Sequence, residues 1–108
     1  MTPEENKSQF LIYQTENGET KIDVRFQDET VWLTQKLMAE LFQTSIPNIN
    51  MHLNNIFEEG ELEEDSTIKD FLIVQKEGSR KVKRKQKFYN LDAIISVGYR
   101  KKSHIATK

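Results

Sequence analysis

At 108 residues and 36% hydrophobic composition, the chain suits one domain with one modest core. It has no cysteine and only two histidines, His52 and His104, which excludes disulfides, thiol catalysis and cysteine- or histidine-rich metal centres and points to a reducing, cytoplasmic setting. The formal net charge of −1 conceals an asymmetry: residues 1–66 hold four basic groups against fourteen acidic ones, while residues 67–108 hold twelve against three. Such polarity suits a charged partner, or two halves that neutralise each other within one fold or across a dimer. No run of about 18 apolar residues marks a transmembrane helix. The start, Met1-Thr-Pro-Glu-Glu-Asn-Lys7, lacks the basic and apolar regions of a signal peptide.

Residues 1–9 read as a disordered N-terminus, 10–100 as one domain and 101–108 as a frayed tail. Phe10 to Thr15 alternates Phe10 and Ile12 with Leu11 and Tyr13, and Asn17-Gly18 is the dipeptide best suited to a turn with positive φ at both central residues. Ile22, Val24 and Phe26 then alternate with Asp23, Arg25 and Gln27, predicting an antiparallel hairpin with one face for the core. A turn at Gln27-Asp28-Glu29 leads to a strand at Val31-Trp32-Leu33, with Trp32 expected in the core. Thr34 can cap a helix over 35–42, whose Leu37, Met38, Leu41 and Phe42 recur at helical spacing. Gln43-Thr44 breaks the pattern, and Ser45 can cap a second helix with Pro47 in its first turn, where no amide donor is needed. Ile46, Ile49, Leu53, Ile56 and Phe57 form that helix's expected buried stripe. An acidic loop over 58–65 precedes a strand over 67–75, a turn over 76–79 and a basic strand over 80–89. Asn90 or Asp92 can cap a last helix bearing Leu91, Ile94, Ile95 and Gly98 on one side.

Helix, three-residue turn, helix and basic β-hairpin is the order of a winged helix-turn-helix, so the expected fold class is α+β with an N-terminal hairpin added. Such a unit needs a small residue where its helices cross, supplied by Ala39, and a branched apolar residue ten positions on, supplied by Ile49. Gln43 stands where the turn usually carries glycine, at a cost on the order of 1 kcal/mol if the backbone is left-handed there. The second helix, 46–57, is the candidate recognition helix. Asn48, Asn50, Asn54 and Asn55 are each roughly half a kcal/mol worse than alanine in a helix, a local cost that base reading would explain, because asparagine pairs in bidentate fashion with adenine. Met51 is added to the candidate base-reading residues. Ser45 and His52 are candidate phosphate contacts, with packing the alternative for His52. Arg80, Lys81, Lys83, Arg84, Lys85 and Lys87 form a basic run over 80–87 suited to phosphates. Alternation sets the four lysines on one face and Val82, Arg84 and Phe88 on the other. A charged edge strand that discourages aggregation is the plainer explanation of that run.

No Gly-rich phosphate loop, Ser/His/Asp spacing or metal signature is present, so binding is expected rather than catalysis, with no cofactor and no metal. The stretches Phe10-Leu-Ile-Tyr-Gln-Thr-Glu-Asn-Gly18, Val31-Trp-Leu-Thr-Gln35, Met38-Ala-Glu-Leu-Phe42, Asn55-Ile-Phe-Glu-Glu-Gly-Glu-Leu62 and Tyr89-Asn-Leu-Asp-Ala-Ile-Ile-Ser-Val-Gly-Tyr-Arg100 resemble the N-terminal region of the bacterial RhuM family, labelled "virulence protein". Related modules occur fused to Fic/death-on-curing-type proteins. The resemblance covers about residues 10–100 and implies a winged-helix DNA-binding module of mobile-element or host-interaction genes, with no catalytic residues to carry over. Full-length members continue past the segment matched by Tyr99-Arg100 with a further domain, which implies that this chain is a truncated member or a remnant. The expected partner is double-stranded DNA, with a homodimer as a candidate and neither a membrane nor a small-molecule substrate. The rival is a protein–protein interaction module of a virulence or toxin–antitoxin-type system, in which the acidic half of one chain meets a basic partner.

Overall fold

The computed structural model describes residues 9–14 and 18–106, the last four of these as backbone alone. Nine elements follow in order: β1 (Gln9–Gln14), β2 (Lys21–Gln27), β3 (Thr30–Leu33), α1 (Gln35–Leu41), α2 (Ile46–Glu58), α3 (Glu64–Thr67), β4 (Ile68–Glu77), β5 (Arg80–Asn90) and α4 (Leu91–Ala106). The five strands form one antiparallel sheet in the order β1-β2-β3-β5-β4. The fold is therefore α+β, and among the described residues no helix is long and apolar enough to cross a membrane.

Local chemistry explains the boundaries. Asp28 and Glu29 join β2 to β3 with φ of 56° and 62°, the double left-handed turn that matches the twist of the flanking strands. Of the expected Asn17-Gly18 turn, Asn17 lies outside the described residues, while Gly18 has φ of 73°. Thr34 Oγ1 accepts from the Leu37 amide at 3.1 Å to start α1. Ser45 Oγ accepts from the Asn48 amide at 3.2 Å to start α2. Of the two candidate caps for the last helix, Asn90 serves: its Oδ1 accepts from the Ala93 amide at 3.2 Å, while its Nδ2 donates to the Ser66 carbonyl. The closing helix runs to Ala106, through part of the stretch expected to fray.

One sheet face carries the helices. Ile22, Leu33 and Tyr89 meet Met38 and Ala39 of α1, Ile49, Leu53 and Ile56 of α2, and Ala93, Ile94 and Val97 of α4 in one buried cluster. Ile46 departs from the expected stripe and is exposed, whereas His52 is buried. The other face holds a second cluster of Trp32, Phe71 and Phe88, with ring centroids 5.7 and 5.1 Å apart in edge-on geometry. The Arg25 guanidinium lies 4.4 Å from the Phe71 ring, 5.1 Å from Phe88 and 4.9 Å from Phe10, and burial pulls its pKa below the usual arginine value. Cation–π attraction of this kind compensates part of the desolvation. The sheet's second face thus carries its own small cluster around the Arg25 cation, while Phe10 and Ile12, on that face of the N-terminal hairpin, are exposed.

Candidate nucleic-acid interface

The turn between α1 and α2 brings both helices into the core, where Ala39 and Ile49 are buried in one cluster. Gln43 has φ of 55°, the left-handed conformation expected at that position. Its side chain offsets the strain: Nε2 donates to the Glu40 carbonyl at 2.9 Å and to Thr20 Oγ1 at 3.2 Å.

On α2 the candidate residues separate into three groups. Asn50, Met51 and Asn54 are exposed and share one side of the helix with Pro47 and Glu58. Asn48 and Asn55 are half-buried, and Asn48 Nδ2 donates to Thr44 Oγ1 at 2.8 Å, so this side chain supports the helix start. His52 is only 7% exposed and faces the interior, the packing position rather than a phosphate-facing one. Ser45 is exposed while its hydroxyl caps the helix.

Beyond the short pairing of Trp32 and Leu33 with Asn90 and Tyr89, β4 and β5 continue as a two-stranded arm. At about 3.3 Å per residue it projects roughly 25 Å. The register is unbroken, pairing Asp70 with Lys87, Leu72 with Lys85, Val74 with Lys83 and Lys76 with Lys81. Cross-strand partners share a face, and strict alternation from the core residue Tyr89 sets these four β5 lysines on the helix-bearing side. All four are exposed. Arg80 and Arg84 lie on the opposite side, where Arg84 donates to Glu77 through Nε at 2.7 Å and through Nη2 at 2.9 Å. That contact raises the Arg84 pKa and lowers that of Glu77. The basic run therefore falls into two rows on opposite faces of the arm, and Arg84 in the second row is paired with Glu77.

A groove of about 670 Å³ runs between α2 and the base of the arm. Asn50 and Asn54 line it from α2, Gln35 and Lys36 from α1, Lys87 from β5 and Glu64 from α3. Gln35 Nε2 donates to Asn50 Oδ1 at 3.2 Å and to the Tyr89 hydroxyl at 3.0 Å, linking both helices to the arm. Sequence reasoning missed Gln35, Lys36, Glu64 and Tyr89. Only long-range packing identifies the first and last; the charge of Lys36 was a usable but unspecific signal. The acidic stretch after α2 is tied to α4, with Arg100 Nη2 donating to Glu59 at 2.9 Å and to Glu61 at 2.8 Å. Hydrogen bonds from Ser96 and then Arg100 lower the Glu61 pKa.

Against this geometry the comparison with known families adds one finding. Residues 66–108, which contain the arm and the closing helix, match the model of the Virulence protein RhuM family. This match supports the RhuM family assignment. No curated protein and no solved structure matches the chain. The RhuM-matching segment includes all four exposed lysines of β5, Asn90 with its capping role, and Arg100 with its two carboxylate partners.

Proposed function

We propose that this chain is a winged helix-turn-helix module that binds double-stranded DNA and serves in transcriptional regulation, by binding rather than catalysis. One observation carries the reading: Asn50, Met51 and Asn54 of α2 and the lysine row of β5 lie on the same side of the sheet, with a groove between them. In the proposed complex α2 enters the major groove, presenting short polar side chains to base edges. Lys81, Lys83, Lys85 and Lys87, with Lys36 on α1, meet the backbone phosphates, which set position and affinity without reading sequence. Asn48 supports the helix start through Thr44, Asn55 is half-buried at the helix flank, and His52 packs beneath it. The fixed Gln35–Asn50 hydrogen bond holds one base-reading side chain in place, which lowers the ordering cost of recognition.

The test is selection from random-sequence duplex DNA at several salt concentrations, repeated with Asn50→Ala and Asn54→Ala. The wild-type chain is expected to enrich a motif and to lose affinity steeply with salt. Each alanine variant is expected to lose about 1–3 kcal/mol of base discrimination, while the helix gains roughly half a kcal/mol. Absence of binding at low salt would remove DNA as the ligand. Enrichment unchanged by both substitutions would remove α2 as the reader.

A further inference from the structure

The two edges of the sheet are built differently. β4, at one end, carries Lys69, Asp70, Lys76 and Glu77, charges of the kind that discourage another strand from adding. β1, at the other end, reads Gln-Phe-Leu-Ile-Tyr-Gln and has no charge, no proline and no bulge across its continuous register with β2. Its apolar side chains are open on both faces: Phe10 is 64% exposed, Leu11 51%, Ile12 71% and Tyr13 49%. On the helix-bearing face, Leu11 and Tyr13 border an apolar groove of about 550 Å³ that also takes in Leu91 and Ile95 of α4.

We propose that β1 is a self-association edge, where a second copy of this chain adds its own β1 antiparallel across a two-fold axis to make one continuous sheet. Charge permits this, because two copies of an uncharged strand bring no like charges together. Area permits it too. With side chains of this size offering roughly 150–250 Å² each, the exposed parts of Phe10, Leu11, Ile12, Tyr13, Leu91 and Ile95 offer about 600 Å² per copy. Main-chain area adds to that, and a standard interface takes about 800 Å² per partner. Antiparallel pairing about an axis normal to the sheet keeps both helix layers on one side. Cross-strand partners must then come from the same face, so only residues of equal parity can pair. Two registers satisfy this over the apolar stretch. A centre on Leu11 sets Phe10 against Ile12 of the partner subunit, and a centre on Ile12 sets Leu11 against Tyr13 of the partner subunit. The resulting sheet has a charged β4 at each end, so association stops at two copies.

The proposal does not depend on DNA binding, and neither does its test. Sedimentation of the full chain over a concentration series is expected to show a monomer–dimer equilibrium. Ile12→Lys is expected to weaken it by roughly 100-fold, with the same circular dichroism spectrum, while Ile12→Val leaves it in place. Hydrogen exchange of the wild-type chain supplies a second reading that needs no variant. Amides within 9–14 should gain protection as concentration rises. A wild-type chain that stays monomeric, a dimer that forms without protection of β1, or an Ile12→Lys chain that dimerises like wild type would each overturn the proposal.

Discussion

Gln43 shows how one residue sets the relation between α1 and α2. The turn requires a left-handed backbone, and glutamine meets it at φ of 55° while spending its side chain on the Glu40 carbonyl and Thr20. Alanine would keep the strain and lose both hydrogen bonds; glycine would lose the bonds but relieve the strain. Gln43→Ala is therefore expected to be about 1 kcal/mol less stable than Gln43→Gly, measured by chemical denaturation of both variants against the wild-type chain. Equal stabilities of the two variants would mean that the left-handed backbone costs little here, while the gap between wild type and Gln43→Ala measures the side-chain contacts. The conformation was legible in the sequence from the spacing of Ala39, Gln43 and Ile49. The compensating contact with Thr20 was not, because it joins the turn to a residue 23 positions earlier.

At the scale of elements, the basic strand is the clearest case of pattern read correctly but incompletely. Alternation assigned the four lysines to one face and Arg84 to the other, and the register with β4 bears that out. What the sequence did not reveal is that Arg84 is held by Glu77 across the arm, because that depends on how the two strands align. The two rows should therefore respond differently to neutralisation. Lys83→Gln and Lys85→Gln are each expected to lower the salt dependence of DNA binding by about one ion per phosphate contact removed. Arg84→Gln, on the other side of the arm, should leave that slope nearly unchanged. Slopes from fluorescence anisotropy titrations would decide it, and a larger effect from Arg84 would place the phosphates on the wrong face. Most strands and the three longer helices were readable because their apolar periods are strong. The short α3, Glu-Asp-Ser-Thr, has no such period, and its residues were split between the acidic loop ending at Asp65 and a strand starting at Thr67.

Across the whole molecule, the charge asymmetry of the sequence becomes a spatial arrangement around the groove. Lysines line the arm, the exposed middle of α2 is uncharged, and Glu58 at its C-terminal end with Glu63, Glu64 and Asp65 beyond it borders one open surface with Asn54. Glu64 also reaches the groove itself, beside Asn50, Asn54 and Lys87. In the proposed DNA complex a carboxylate there would oppose phosphate approach and favour a pose in which the N-terminal half of α2 goes deepest into the major groove, as recognition helices generally do. Glu64 is thus expected to lower overall affinity while restricting the orientation of binding. Glu64→Gln should bind DNA of any sequence several-fold more tightly at low salt, as one unfavourable charge close to the backbone is removed, and its advantage should shrink as salt rises. The enriched motif should stay the same, because glutamine at this position changes repulsion and leaves Asn50 and Asn54 unaltered. Parallel selections and salt titrations on the two proteins measure both quantities. Tighter binding with an unchanged motif supports the proposed orientation, whereas weaker binding would mean that Glu64 contacts a base or a bridging group and that α2 lies with its C-terminal end in the groove.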